Sequence, residues 1–224
     1  MVFRGVPEET KTLEVRISPE DALAADNSRF AGLAAAKQQK VLLVSESNLF
    51  LEKALSLSEQ VELYQTDTLQ ENLSGYSLYV FDGVLPKTMP TDGHWLLINP
   101  PSGNGIVETG AEQEFAADVR GLSDSGLENC GDISFALAKG KPLSASWGTA
   151  FLQAEGQTLG LYGETNGRKV AVLGFDLHDS DFPLQTEFPI LLYRLMEWYF
   201  PANGSGVSQV TAGEQVSLSL LPTT

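Results

Sequence analysis

The chain has 224 residues, enough for one sizeable domain with a core and some additional length. Its formal net charge of −15 argues against nucleic acid and anionic membrane surfaces, both of which call for a basic footprint. A single cysteine, Cys130, excludes an internal disulfide and a cysteine-based zinc cage, and no apolar run approaches the length of a membrane span.

Residues 1–36 read as a β-strand arm. In TLEVRIS, Leu13, Val15 and Ile17 alternate onto one face. The polar PEDALAADN and the short apolar RFAGLAAA follow, so two strands joined by a polar turn are expected. Such a ribbon is marginal alone and must lean on a neighbour. Met1 leads into the polar VFRGVPEETK, which is not a signal peptide pattern.

At Lys40 the pattern changes. KVLLVSE is a short continuous apolar run, as a strand buried on both faces requires. NLFLEKALSL puts Leu49, Leu51, Leu55 and Leu57 near helical spacing, with Asn48 or Ser47 as the cap. VELYQTD reads as a second strand and TLQENLSG as a weak helical turn closed by Gly75. SLYVFDG and HWLLINPP are a third and a fourth strand. This alternation predicts an α/β domain over 37–202, with a mainly parallel sheet and crossover helices.

SGNGIVETGAEQEF reads as loop, and ADVRGLSDSGLENCGDISFALAKG has no clean period, with room for a short helix and a strand. Strand signals return in SASWGTAFLQAEG, TLGLYGE and KVAVLGF, and Asn166-Gly167 marks a hairpin turn between the last two. A helix over about 184–200 places Phe188, Leu191, Leu192, Leu195 and Trp198 in an apolar stripe. Residues 203–224 read as a linker and the start of a further β segment.

GFDLHDSDFP, Gly174 to Pro183, carries the densest chemistry. Asp176, His178, Asp179 and Asp181 are donor types for a divalent ion, but their spacing matches no metal signature. The competing reading makes Asp179, Ser180 or Asp181 the cap of the final helix, with Pro183 in its first turn. Three polar turns, SESN, DGVLP and FDLHDSD, fall at strand ends, where open parallel sheets bind ligands. Glu46, Asp82, Asp176, His178 and Asp179 therefore form the expected rim site. Acidic side chains and no glycine cradle argue against a nucleotide there.

Cys130, in LENCGDIS, does not stand at a sharp strand-to-helix turn, and it reads as a free, buried or half-buried thiol. Ser45 follows VLLV, but VSESN lacks the small residues of a nucleophile elbow. His94 opens a strand and reads as a surface or seam residue. Trp95, Trp147 and Trp198 read as core or domain-contact residues. No catalytic triad, bound metal or cofactor is expected.

Taken together, DALAADNSRFAGL, KVLLVSESNLFLEKAL, YSLYVFDGVLP, LLINPP and VAVLGFDLHDSDFPLQTEFPILLYRLMEW resemble a domain of bacterial membrane proteins that carry BatA and von Willebrand factor A modules. That domain is similar to the class I glutamine amidotransferase-like fold, a flavodoxin-like three-layer α/β sandwich, and the closing segment resembles its ThuA-like branch. The resemblance covers about 21–201. It implies that residues 1–36 end a preceding β-sandwich and that AGEQVSLSLLP begins a following one. It further implies an envelope-anchored parent protein, with this domain outside the bilayer on the extracytoplasmic side.

Amidotransferases of this class carry a cysteine on the elbow after a central strand, with a histidine and a glutamate near the C-terminus. Here Asp82-Gly83 occupies that elbow, so the catalytic residues do not carry over. The expectation is a non-catalytic interaction or scaffold module whose partners are proteins or neighbouring domains of the parent chain. The alternatives are a hydrolase or metal-dependent enzyme using Asp82, Asp176, His178 and Asp179, and a sugar or small-ligand module at the same rim.

Overall fold

The structure is a computed structural model that describes residues 38–201 apart from 59, 71, 128 and 129, together with the backbone of two earlier strands. Those strands, β1 (Thr12–Arg16) and β2 (Ser28–Gly32), pair antiparallel. They belong to a unit separate from Gln38–Pro201. The expected β segment over 203–224 lies outside the described residues, as does most of the arm around the two strands.

The main unit begins with β3 (Gln39–Val44), α1 (Leu49–Ser56), β4 (Val61–Thr66), β5 (Leu78–Asp82) and β6 (His94–Ile98). Short strands follow: β7 (Glu108–Thr109), β8 (Gln113–Glu114), β9 (Val119–Gly121), β10 (Ser134–Phe135), β11 (Lys139–Gly140) and β12 (Leu143–Ser144). The chain then runs through β13 (Gly148–Ala154), β14 (Gln157–Thr165), β15 (Arg168–Leu173) and α2 (Glu187–Tyr199).

Nine strands form one sheet in the order β10-β9-β13-β14-β15-β6-β5-β3-β4. The five strands from β15 to β4 are parallel, and their order is the flavodoxin-like one, with β3 between β4 and β5. The other four join through antiparallel pairs. The sheet is thus mixed, not mainly parallel. The cause is local. Asn166-Gly167 and Glu155-Gly156 all have positive φ, as type I′ turns require, and a two-residue turn can only reverse the chain.

The expectation of helices on both faces also fails. Both α-helices lie on one face, where Leu51, Leu55, Leu191 and Leu195 meet Val41, Val80, Leu96 and Ala171. On the other face, Tyr79, Phe81, Leu97 and Val172 are covered by loop residues that include Tyr76, Val84, Met89 and Trp147. The segment TLQENLSG is not helical among its described residues. It offers only Leu69 and Leu73 to an apolar face, and a helix this short has too few bonds to offset nucleation.

The last helix starts at Glu187, later than the expected start near 184, and contains the whole apolar stripe. Phe182–Leu184 makes a separate 3-10 turn, with Pro183 at its start, and Gln185 is extended. At the far end, Lys169 Nζ donates to the carbonyls of Trp198 (2.5 Å) and Tyr199 (3.4 Å), pairing a cation with the negative end of α2. The Tyr199 side chain is buried between β6 and β15, where its hydroxyl donates to Trp95 O (2.6 Å) and accepts from Ala171 N–H (2.9 Å). Tyr199→Phe is expected to cost about 2 kcal/mol, because both main-chain groups lose that partner in a dry site. Urea denaturation of the two proteins measures it.

Candidate functional site

The carboxyl ends of β3 and β5 meet at Asp82. α1 begins directly after β3, and Asn48 is its cap: Oδ1 accepts from Leu51 N–H at 3.1 Å. The other half of the same amide donates to Asp82 Oδ2 at 3.0 Å, and Ser45 Oγ donates to that oxygen at 2.7 Å. Asn48 is only 5% exposed, so its amide is spent on these two bonds. Asp82 therefore ties β3 and the start of α1 to β5. Glu46 is exposed and joins none of this.

The loop after β15 alternates sharply. Phe175, Leu177 and Phe182 are fully buried, whereas Asp176, His178, Asp179 and Asp181 lie between them with substantial exposure. Phe182 stacks on Phe135 (centroids 4.2 Å, planes 13° apart), and Phe175 and Phe188 pack against this pair. The acidic groups have separate tasks. Asp176 caps a 3-10 turn over Leu177–Asp179, accepting from His178 N–H at 2.9 Å. Its Oδ1 also lies 2.8 Å from His178 Nδ1. A carboxylate only accepts, so Nδ1 is the donor of this bond, and in a neutral ring Nε2 then carries the lone pair. Asp181 Oδ1 accepts from Ala136 N–H at 2.8 Å, and Asp179 O accepts from Ala138 N–H at 2.8 Å. None of the three residues expected to cap α2 does so; Thr186 holds that position.

The five rim residues therefore separate into an Asp82 tie, an Asp176–His178 pair, an exposed Glu46 and an Asp179 whose carboxylate lies 3.7 Å from Lys139. Phe50 of α1, whose ring centroid is 5.6 Å from that of His178, joins the first two groups. Among the described residues, no three His, Cys, Asp or Glu side chains come together to hold a metal ion. Two further rim residues escaped the sequence reading. Asn99 leaves β6 in the left-handed region (φ 46°), and Lys141 donates from Nζ to Pro100 O at 3.1 Å. The Asn-Pro-Pro run was the available signal for the first; nothing local announces the second.

Cys130 is buried in the core cluster to which the helices also contribute, its thiol donating to Phe151 O at 3.1 Å. Burial pushes its pKa up, which keeps it a thiol. Among the described residues neither imidazole bonds to it. His94 opens β6, half-buried, stacked near Tyr199 at 5.8 Å with Nδ1 accepting from Lys169 N–H at 3.2 Å. Burial first, then the Lys169 charge, lowers its pKa in the folded state. The unfolded chain thus binds the proton more readily, and stability falls as pH drops from about 6.5 through the folded value. Melting curves between pH 7.5 and 5.5 are expected to slope down with acid, and to flatten in His94→Gln.

No family model matches the chain, and no curated protein matches it in sequence. Solved structures do match in shape. Cytoplasmic protein STM3548 from Salmonella typhimurium superposes with a TM-score of 0.56 at 10% identity, covering 84% of this chain and 96% of that one. The mmIFT52 N-terminal domain gives 0.52 at 14%, covering 73% and 98%. A ThuA-like protein from Parabacteroides merdae gives 0.49 at 13%, covering 73% and 90%. At these identities the likeness is one of fold alone, and the first two carry it. The BatA and von Willebrand factor A context rests on the sequence resemblance only. Among the described residues, no helix is long and apolar enough to cross a membrane.

Proposed function

We propose that this chain is a non-catalytic α/β interaction or scaffold module of glutamine amidotransferase-like, ThuA-related type. Its parent is a larger, envelope-anchored bacterial protein of the BatA and von Willebrand factor A kind, with this module on the extracytoplasmic side. Its partners are proteins or neighbouring domains of the parent chain. One observation carries the reading. At the elbow where relatives in the resemblance hold a nucleophile stands Asp82, and Ser45 and Asn48 hold its Oδ2 in a structural tie. The one thiol is buried in the core.

The Asp176–His178 pair favours a second reading, a hydrolase or metal-dependent enzyme, because an oriented imidazole with an open Nε2 is a general base in form. One experiment separates the two. The full chain and His178→Ala are assayed for glutamine and activated-ester hydrolysis, and their melting temperatures are followed with divalent ions. Turnover no higher than that of a heat-denatured sample, with no ion-specific rise in melting temperature, supports the module. Turnover or a metal-dependent rise that disappears in His178→Ala overturns it.

A further inference from the structure

The two edges of the nine-stranded sheet are finished in opposite ways. At one edge β10 is two residues long, and the chain beyond it is closed by the loop after β15. Asp181 and Asp179 take the Ala136 and Ala138 N–H groups, and Leu137 bridges to Ser180. At the other edge β4 is six residues long, with no proline and a single charge, Glu62. Gln39 N–H donates to Gln60 O and Ser45 N–H to Thr66 O. In this parallel register the main-chain groups of residues 62, 64 and 66 turn toward β3, and those of Leu63 and Gln65 turn outward. Neither outward pair has a partner among the described residues.

An open edge is a template for another strand, and proteins normally blunt it. Among the described residues one edge is blunted and the other is not. Beside the open one lies a cleft of about 290 Å³, lined among others by Tyr64, Gln65, Gln70, Asn72 and Tyr76. Among the described residues the cleft lining is uncharged, with amides that donate and accept. Exposed Glu62, within the strand, accepts from the Tyr64 hydroxyl at 2.6 Å and has Lys40 as its register neighbour, and exposed Asp67 follows the strand's end, so carboxylates outnumber cations along this edge. A net charge of −15 disfavours a second copy of this chain as occupant.

We infer that β4 accepts an extended, basic polypeptide segment of a protein partner as a tenth strand. Main-chain bonds to Leu63 and Gln65 provide the attachment, Glu62 and Asp67 favour lysine or arginine, and the cleft takes one polar side chain. This rests on the interaction-module reading and names the surface that reading requires.

The probe is a capped, dye-labelled peptide alternating valine and threonine, with lysines interspersed, titrated into the full chain by fluorescence anisotropy. Saturable binding is expected. Gln65→Pro is expected to weaken it about tenfold, by deleting one outward N–H without touching a bond to β3. Its melting curve checks the fold. Should that variant not fold, the same peptide with alternate amides N-methylated tests the intact protein and is expected to bind about tenfold more weakly. A glutamate-for-lysine peptide should not bind. No saturable binding of the unmethylated peptide, or equal binding of the methylated one, overturns the inference. So does a dimer that Gln65→Pro dissolves, which would make a second copy the occupant. Hydrolytic turnover would sink the non-catalytic reading and leave peptide binding untouched; absent binding without turnover sinks the edge alone.

Discussion

Phe182→Ala is expected to remove about 3–5 kcal/mol of stability, whereas His178→Ala should change it by no more than about 0.5 kcal/mol. The two residues sit four positions apart in the chain's most polar-looking loop. Phe182 is fully buried and its ring lies face to face with Phe135, with Phe188 edge-on at 5.3 Å. Its removal leaves a cavity bounded by the sheet edge, the loop and the start of α2, and the Ala136–Asp181 bond that ties the loop to the edge resists closing it. The His178 side chain is about half exposed, with one carboxylate and one ring as neighbours. An exposed pair of this kind contributes little. Thermal melts of both variants settle the order. The reverse ranking would mean that charge, and not the aromatic cluster, holds the loop.

That contrast also marks what the sequence conveys. Continuous apolar runs made β3, β5, β6 and β15 legible, because burial on both faces leaves no polar position to alternate. They could not give direction: the same run serves a parallel or an antiparallel neighbour, and only the Asn166-Gly167 turn was a local cue to reversal. Strands as short as β9 and β10 carry too few residues for any period to register. The loop covering of the second face was hidden for a related reason: Tyr76, Met89 and Trp147 stand singly and Val84-Leu85 as a lone pair, too few in each loop to set a period. At the rim, Asn48 was readable as a cap from its place before an apolar run. Its second bond was not, since Asp82 stands 34 residues away and only the folded sheet brings them together. In Phe175-Asp176-Leu177-His178 the alternation of apolar and polar was visible. Strand-like alternation in a loop signals an inserted anchor, whereas the clustered aspartates drew attention to helix capping and metal ligation.

At the launch point of that anchor a single methyl group should also do serious harm. In Gly174→Ala the new Cβ would stand 2.2 Å from the Lys141 carbonyl oxygen and 3.0 Å from Leu143 Cγ. The obstacle is main chain, and main chain on both sides is committed. Gly174 N–H donates to Leu159 O at 2.8 Å, and Lys141 N–H donates to Gly174 O at 2.6 Å. The clash therefore cannot be relieved by rotating a side chain. Either the strap through Lys141 lifts off the end of β15, or β15 parts from β14. A cost of about 3 kcal/mol is expected on the scale of overpacked cores. Lifting the strap is the smaller loss, since it surrenders the Lys141 bonds while the β14–β15 ladder stays paired. Hydrogen exchange distinguishes the routes: the Lys141 amide should lose protection in Gly174→Ala while the Val170 and Val172 amides keep theirs. Equal loss at all three would mean that the strap is bound more firmly than the sheet it crosses. A wild-type melting curve would mean that the close approach at Gly174 does not exist in solution.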